Sequence, residues 1–526
     1  MELAEASAGP PFDAVVIGGG INGAGIAREA ARRGLRVALF EADDFGFGTT
    51  WRSTKLIHGG LRYLEHGDFR LVFESLRERK WLLRTRPHLV HPQRLLFPML
   101  SWTRLPAWQA RLGLIAYDLM AMDSGVPRHR WLTREAMAGR APFLDPGHDG
   151  GFAFFDARAR SPERLALELA CEARDFGALV LNHARVTRVL SPGGAVHGVA
   201  VEHDGKEHEV PARAVINAAG PWVDAVNRAA GIAAPPLQSL TRGTHIVLDV
   251  DYPIREAVFS MAKSDGRVFF AVPQDGLLLV GTTDIRESGD PGSVRPTRAE
   301  VDYLLAEARS VLPGLDIGRC HVRYAYAGVR PLQRSTRREE AISRRHRVVR
   351  HEERGGPTGL YSITGGKLST FRQMADDISG LLGAGRLPED PPENQGAWRE
   401  LLREAPLDPK TRSRLRNYGP ALERILGGPP NLLSVEPAVL QAEVAHAVHN
   451  EMAVTLEDVL LRRTGLGWTR NRGLDCHQAV ANAMAKLLGW NEAETAKQVR
   501  RYEAAVRFHL PAMEDLEDDE RATTGD

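Results

Sequence analysis

The run Ala14-Val15-Val16-Ile17 carries four apolar side chains without a polar interruption, the pattern of a short strand buried on both faces. Glycines follow at once in Gly18-Gly19-Gly20-Ile21-Asn22-Gly23, and small residues at Ala24, Ala27, Ala30 and Ala31 predict a helix ending near Gly34. A second apolar run, Arg36 to Phe40, closes on Glu41. A strand–turn–helix–strand unit is thus complete in about 30 residues. Further along, 214–217, 244–249 and 277–280 read as strands, whereas 162–174 and 297–310 read as helices. The cluster Pro388-Glu389-Asp390-Pro391-Pro392-Glu393-Asn394 reads as a linker. Helical periodicity prevails from Trp398 to Leu510, including 454–463 and 478–488, and predicts a separate helical domain. Ordered structure is expected to begin near Phe12, with 1–11 flexible, and the acidic tail 513–526 is expected to be disordered.

Composition narrows the function classes. At ~150 residues per domain, 526 residues predict two to four domains. Lys+Arg count 68 against 67 Asp+Glu, a net charge of +1, which lacks the basic surplus of a nucleic-acid coat. Cys171, Cys320 and Cys476 are too few and too far apart for a disulfide framework or a thiolate metal site, so a reducing compartment is expected. The opening MELAEASAGP has neither a basic n-region nor an apolar h-region, and no run of about 18 apolar residues predicts a membrane span.

The glycine turn carries the first chemistry. Gly18 permits a tight turn, Gly20 lets backbone approach a pyrophosphate, and Gly23 lets helix and strand pack closely, while the helix N-terminus offers N–H groups to phosphates. Glu41, 18 residues beyond Gly23, stands where a carboxylate accepts from a ribose 2′-OH. An adenine dinucleotide is expected. Two later segments favour FAD over NAD: Val215-Ile216-Asn217-Ala218-Ala219-Gly220, a strand ending in small residues, and Ile363-Thr364-Gly365-Gly366-Lys367-Leu368-Ser369-Thr370, a strand-to-helix turn. Backbone amides and the Lys367 cation in the latter suit the negative charge that reduced flavin carries near N1 and its C2 carbonyl. No histidine–cysteine spacing predicts a metal, and no serine-in-glycine elbow predicts a hydrolase.

From about Asp13 to Arg372 the chain resembles FAD-dependent, quinone-linked glycerol-3-phosphate dehydrogenases, within the wider D-amino-acid-oxidase-like flavoproteins. The specific segments are 17–26, Ser53-Thr54-Lys55-Leu56-Ile57-His58-Gly59-Gly60-Leu61-Arg62-Tyr63-Leu64-Glu65, Gly328-Val329-Arg330-Pro331-Leu332 and 365–368. Met452 to Leu460 resembles that family's accessory domain more loosely. The resemblance implies an α/β fold: a Rossmann-type FAD-binding domain with a mixed-sheet substrate (cap) domain over 12–386, the chain leaving and rejoining the nucleotide sheet, then a C-terminal α-helical domain over 387–512. It implies cofactor contacts from Gly18, Gly19, Gly20, Ile21, Asn22, Gly23, Glu41, Ala42, Thr50, Ser53, Lys55, Leu56, His58, Gly59 and Gly60. Val186, Ala219, Gly220, Trp222, Gly366, Lys367, Leu368 and Ser369 complete that set. One departure is Trp51-Arg52, where the family commonly has small residues, so packing near the flavin ring is in question.

The implied reaction oxidises sn-glycerol 3-phosphate at C2, giving dihydroxyacetone phosphate and reduced FAD. Substrate contacts carry over to Arg62, Tyr63, His245, Arg330 and Arg344, and the catalytic set to Arg330, His245 and Lys367. Arginine suits a phosphate through its planar fork, and histidine suits the hydroxyl proton, although Arg330 can instead stabilise an alkoxide at C2. Asp284, in Gly281-Thr282-Thr283-Asp284, reads either as a strand end near substrate or as a turn former. The family further implies ubiquinone or menaquinone as acceptor and a peripheral, monotopic protein on the inner face of the cytoplasmic membrane. The Trp, aliphatic and Arg mixture of 97–108 and 111–122 fits either an interfacial element or a buried helix pair. A homodimer stays open. Rival readings are an oxygen-using glycerol-3-phosphate oxidase, an amine or amino-acid oxidase of the same fold, and a non-catalytic flavin-binding protein.

Overall fold

Strand Ala14–Ile17 sits inside a six-stranded sheet whose order is Arg347–Arg350, Leu360–Thr364, Val215–Asn217, Ala14–Ile17, Val37–Phe40, Leu179–Leu181. All pairs are parallel except the edge pair formed by Arg347–Arg350. The structure is a computed structural model that describes residues 3–60, 68–121, 125–232, 235–334, 345–428 and 431–517. Alternate residues serve opposite faces, as strand geometry requires. Ala14, Val16, Val37 and Leu39 pack under the helices Ile21–Arg32, Pro162–Asp175 and Phe371–Leu381. Val15, Ile17, Ala38 and Phe40 pack on a three-stranded antiparallel sheet through Val199, Val201 and Val210. The return of the chain at Leu360–Thr364, beside Val215–Asn217, gives the discontinuous nucleotide domain that the resemblance implies.

The second layer is a large mixed sheet in the order Ile285–Glu287, Gln238–Leu248, Leu277–Gly281, Val268–Gln274, Ala257–Met261, Val90–Pro98, Gly151–Ala159, Leu56–Ile57. Val322–Gln333 lies antiparallel along Gln238–Leu248. One face packs Ile246, Leu248 and Val280 against Val301, Leu304 and Ala308 of helix Arg298–Val311. The other packs Val247, Leu279, Tyr324 and Tyr326 against Val444, Leu460, Trp468, Met484 and Tyr502.

That second contact joins the expected C-terminal helical domain to the cap: its helices close a core of their own around Trp398, Leu415 and Leu440, and they complete the apolar cover of the cap sheet as well. Three boundaries also change. Residues 3–8 form a helix, not a flexible leader, because Leu3 and Ala6 are buried beside Phe12 and Val210. The predicted helix at 454–463 is a π-helix over Asp458–Arg463. The tail is ordered through 517, where Leu516 enters the cluster around Val301; residues 518–526 of the expected disordered tail lie outside the described residues.

Candidate active site

The parallel strands Ala14–Ile17, Val215–Asn217 and Leu360–Thr364 all end at one edge of the nucleotide sheet, the edge at which open α/β sheets bind ligands. Gly18 (φ 101°) turns there, where a Cβ would stand 2.8 Å from the Ala218 carbonyl oxygen and 2.9 Å from Ala219 Cα. Gly23 is demanded by helix–turn packing, since a Cβ would fall 1.8 Å from the Gly18 carbonyl oxygen. Gly20 differs. Its φ of −69° suits any residue, and a Cβ would meet only Thr50 Oγ1, at 3.3 Å. Nothing in the protein itself requires glycine at that position, so the open space above it is a cradle for a ligand. The Ile21 amide donates to Thr50 Oγ1 at 3.1 Å, Asn22 holds a buried Oδ1 without a partner, and Asn22 Nδ2 lies 3.2 Å from where a Gly366 Cβ would be. A bare glycine and the N–H groups of a helix N-terminus fit the diphosphate of FAD.

Glu41 accepts from the Gly19 amide at 2.6 Å and the Asp43 amide at 2.9 Å. Burial pushes its carboxyl up to about 7 against those two bonds. Ala42 follows in the same loop, the Ala184 amide donates to the Glu41 carbonyl at 2.8 Å, and Val186 packs against the cluster around Val199 and Val201. Trp222 packs over Gly48, whose Cβ would stand 3.2 Å from the indole, and Gly220 opens that turn at φ 55°. Lys367 Nζ lies 3.4 Å from Ser75 Oγ; Leu368 packs on the helical core and Ser369 is buried at the start of helix Phe371–Leu381.

On the cap sheet, His245 and Arg330 lie on the paired strands Gln238–Leu248 and Val322–Gln333. Two glycines make room for them: a Cβ on Gly281 would be 2.4 Å from the His245 ring, and one on Gly243 would be 2.1 Å from Arg330 Nη2. Arg330 donates to Asp284 Oδ1 at 3.1 Å, to the Thr283 carbonyl at 3.2 Å and to Thr282 Oγ1 at 2.8 Å. Asp284 is therefore a partner of the guanidinium, which its position in a turn-like sequence did not reveal. His245 stacks on Tyr326 (centroids 4.9 Å apart, planes at 14°), its Nε2 is 2.9 Å from Thr54 Oγ1, and its Nδ1 is buried without a partner. Burial, then Arg330 and Lys55, hold its imidazole down at about 3, so the ring is neutral.

The segment 51–60 joins the two layers. Tyr326 donates to the Ser53 carbonyl at 2.7 Å, and Leu56 pairs with Arg158 on the sheet. Lys55 is wholly buried, with Nζ 3.5 Å from the Trp468 ring centroid and 4.0 Å from Glu163; burial lowers its ammonium to about 8. The ring of His58 faces Phe270 at 6.5 Å. The Gly59 amide donates to Tyr117 OH at 2.8 Å and is thus satisfied by protein, while Gly60 turns at φ 81°. Trp51, the departure from the family pattern, packs against Trp468 at 5.1 Å and Tyr326 at 5.8 Å, and Arg52 reaches His509 Nδ1 at 2.9 Å. These residues fasten the C-terminal helices to the flavin-side loop. Arg62, Tyr63 and Arg344 lie outside the described residues. Sequence reasoning missed Thr54 and Tyr326, which carry no charge and no motif of their own.

Among the described residues, Asp44, His183 and Asp458 form one group with metal-ligand spacing. Arg462 and Arg463 bind Asp44, and Arg462 binds Asp458 at 3.0 Å, so the carboxylates are engaged in docking the C-terminal domain.

Residues 13–371 match the family described as FAD dependent oxidoreductase, and residues 379–495 match the C-terminal domain of alpha-glycerophosphate oxidase. The chain is 34% identical to a glycerol-3-phosphate dehydrogenase of Synechocystis sp., over 93% of this chain and 95% of that one. Its fold is similar to the crystal structure of the glycerol-3-phosphate dehydrogenase from Bacillus halodurans complexed with FAD, with a TM-score of 0.76, 27% identity and 98% of each chain covered. An L-alpha-glycerophosphate oxidase from Mycoplasma pneumoniae with FAD bound shares the fold at 18% identity and a TM-score of 0.55, covering 73% of this chain and 97% of that one.

Proposed function

The chain belongs to the FAD dependent oxidoreductases, and from that membership we propose that it oxidises sn-glycerol 3-phosphate at C2 to dihydroxyacetone phosphate and delivers the electrons to ubiquinone or menaquinone. The observation that carries the reading is the juxtaposition of Arg330 and neutral His245 on paired strands, each in a space that a glycine keeps open. FAD, when bound, supplies the acceptor for the hydride from C2. Arg330, oriented by Asp284 and the Thr283 carbonyl, presents a fixed cation either to the phosphate or to charge developing on the C2 oxygen. His245 has an unpartnered Nδ1 and accepts from the hydroxyl. Arg62, Tyr63 and Arg344 are assigned further substrate contacts, and Lys367 electrostatic support of the reduced cofactor, on the family segments alone.

Quinone access is read from helix Ala107–Met120. Trp108, Leu112, Ile115 and Leu119 recur every three or four residues and are 40–62% exposed, with Phe69 and Phe73 exposed on the helix Phe69–Thr85 packed beside it. Among the described residues no helix is long and apolar enough to cross a membrane. An exposed apolar stripe of this kind suits peripheral attachment to the inner face of the cytoplasmic membrane. An oxygen-using oxidase is the second reading, favoured by the match of 379–495 to an oxidase C-terminal domain. Anaerobic addition of glycerol 3-phosphate should bleach the flavin band at about 450 nm. Failure to bleach refutes the substrate, and peroxide formed in air as fast as a dye is reduced selects the oxidase.

A further inference from the structure

Away from the glycine turn and from His245, a cleft of about 1320 Å³ opens between the cap sheet, the turn joining Val268–Gln274 to Leu277–Gly281, and Ser413 of the C-terminal domain. It exceeds the ~300–1,000 Å³ usual for small-molecule sites. Its rim arginines are paired with acids: Arg94 and Arg140 share Glu256, and Arg470 binds Asp249 at 2.6 Å. Its floor is not. Arg158 is 5% exposed, bonds only the Pro273 carbonyl and Gln274 Oε1, and has a buried Nε with no partner. Among the described residues no carboxylate meets it. Arg160 stands beside it with Asp275 as its one acid, and Arg416 is close enough to repel Arg160 and His91. Arg158 and Arg160 therefore share a single carboxylate, the lining as a whole sets six arginines against four acids, and a buried cation without a counter-charge is costly. Phe155 and Tyr252 add aromatic wall.

We propose that this cleft is an anion site distinct from the oxidation site, and that it takes a soluble polyphosphate-bearing molecule whose phosphates lie on Arg158 and Arg160. The local surplus of two positive charges calls for at least a dianion, and bidentate guanidinium geometry selects phosphate oxygens. The volume admits a ligand well beyond a three-carbon ester. None of the exposed apolar residues of helix Ala107–Met120 lines the cleft, so a soluble anion is preferred to a lipid headgroup. Occupancy reaches toward the reaction through one strand pair: Arg158 is the register partner of Leu56, and the Ala159 amide donates to the Lys55 carbonyl at 3.0 Å. The assignment does not depend on which alcohol is oxidised.

Calorimetric titration of the FAD-loaded full chain with tripolyphosphate and with ATP tests it by binding alone. The expected dissociation constant is below about 100 µM for at least one probe, weakened about tenfold or more in Arg160→Gln. Arg158→Gln should do the same, and if it does not fold Arg160→Gln carries the test. ATP binding about tenfold tighter than tripolyphosphate identifies a nucleotide site, and equal binding identifies a polyphosphate site. Dissociation constants weaker than about 1 mM for both probes overturn the proposal, as does an unchanged affinity in Arg160→Gln. Displacement of the probe by glycerol 3-phosphate at its own KM also overturns it, by placing the probe in the oxidation site.

Discussion

The guanidinium of Arg330 occupies the space above Gly243, where a Cβ would lie 2.1 Å from Nη2 and 2.5 Å from Cζ. The two residues sit on paired strands, Gly243 beside Gly328 and Arg330 beside Thr241, so the absence of one side chain defines the course of the other. Gly243→Ala should push Arg330 off Asp284 and Thr282 without touching the dinucleotide edge. We expect kcat/KM for glycerol 3-phosphate to fall about 10–10²-fold with FAD content unchanged, and Arg330→Ala to cost about 10²–10³-fold. Arg330→Lys should recover little, since a point charge cannot keep three fixed hydrogen bonds. Wild-type kcat/KM in Gly243→Ala, measured with an artificial dye, would remove Arg330 from the site.

Gly20 tests the cofactor edge separately. Its backbone is ordinary and a Cβ there meets only Thr50 Oγ1, so a larger side chain is tolerated by the fold but fills the ligand cradle. Gly20→Val should emerge folded, with a melting temperature close to that of wild-type apoprotein, and colourless. A yellow protein holding stoichiometric FAD would move the diphosphate elsewhere. Gly23→Val should instead fail to fold, because its Cβ would collide with the Gly18 carbonyl.

These contrasts show what was legible in the chain. The glycine turn was readable because each of its requirements is local: a strand, a turn and a helix start within a few residues. His245 and Arg330 were assigned through family segments, and the structure adds the reason for their neighbours, Gly281 and Gly243. The start of strand Gln238–Leu248 was missed because Gln238 to Arg242 are mostly polar, so no apolar run marks them. The union of the C-terminal helices with the cap was invisible for another reason. Trp51 and Trp468 meet edge to face across more than four hundred residues, and no periodicity encodes such a pair. The odd Trp51-Arg52 dipeptide was its one local trace.

Helix Pro162–Asp175 and the linker are fastened by His88. Its ring is buried, 3.0 Å from Glu168 and 2.6 Å from Glu393, and packs on Trp398. Burial alone would lower its imidazolium, but Glu168 and Glu393 raise it to about 9. A raised folded value means that the stabilisation is complete below the unfolded value of about 6.5 and is lost as pH rises through about 9, an effect of order 3 kcal/mol at most. Thermal melts should therefore show wild-type stability declining between pH 6.5 and 9, and His88→Gln, less stable at the acidic end, should decline less. Parallel curves for the two proteins would deny the imidazolium its role.

The membrane attachment proposed for the stripe on helix Ala107–Met120 can be tested apart from the chemistry. Trp108 and Leu119 are each 62% exposed and Leu112 57%, whereas Ala110, Leu114 and Tyr117 hold the opposite face in the protein. Substituting the outer face therefore leaves the inner contacts, including the Tyr117 bond to Gly59, in place. Each exposed leucine that enters an acyl boundary contributes about 1.5–3 kcal/mol, so Leu112→Glu with Leu119→Glu should weaken vesicle partition by about 10²-fold or more. Two carboxylates would add repulsion from anionic lipid. We expect the double variant to remain in the supernatant when wild-type protein sediments with anionic vesicles, to lose most quinone-linked turnover, and to keep its dye-linked turnover. Dye-linked and quinone-linked rates falling together would mean that the substitutions damaged the fold, and wild-type sedimentation would mean that the membrane contact lies on another face.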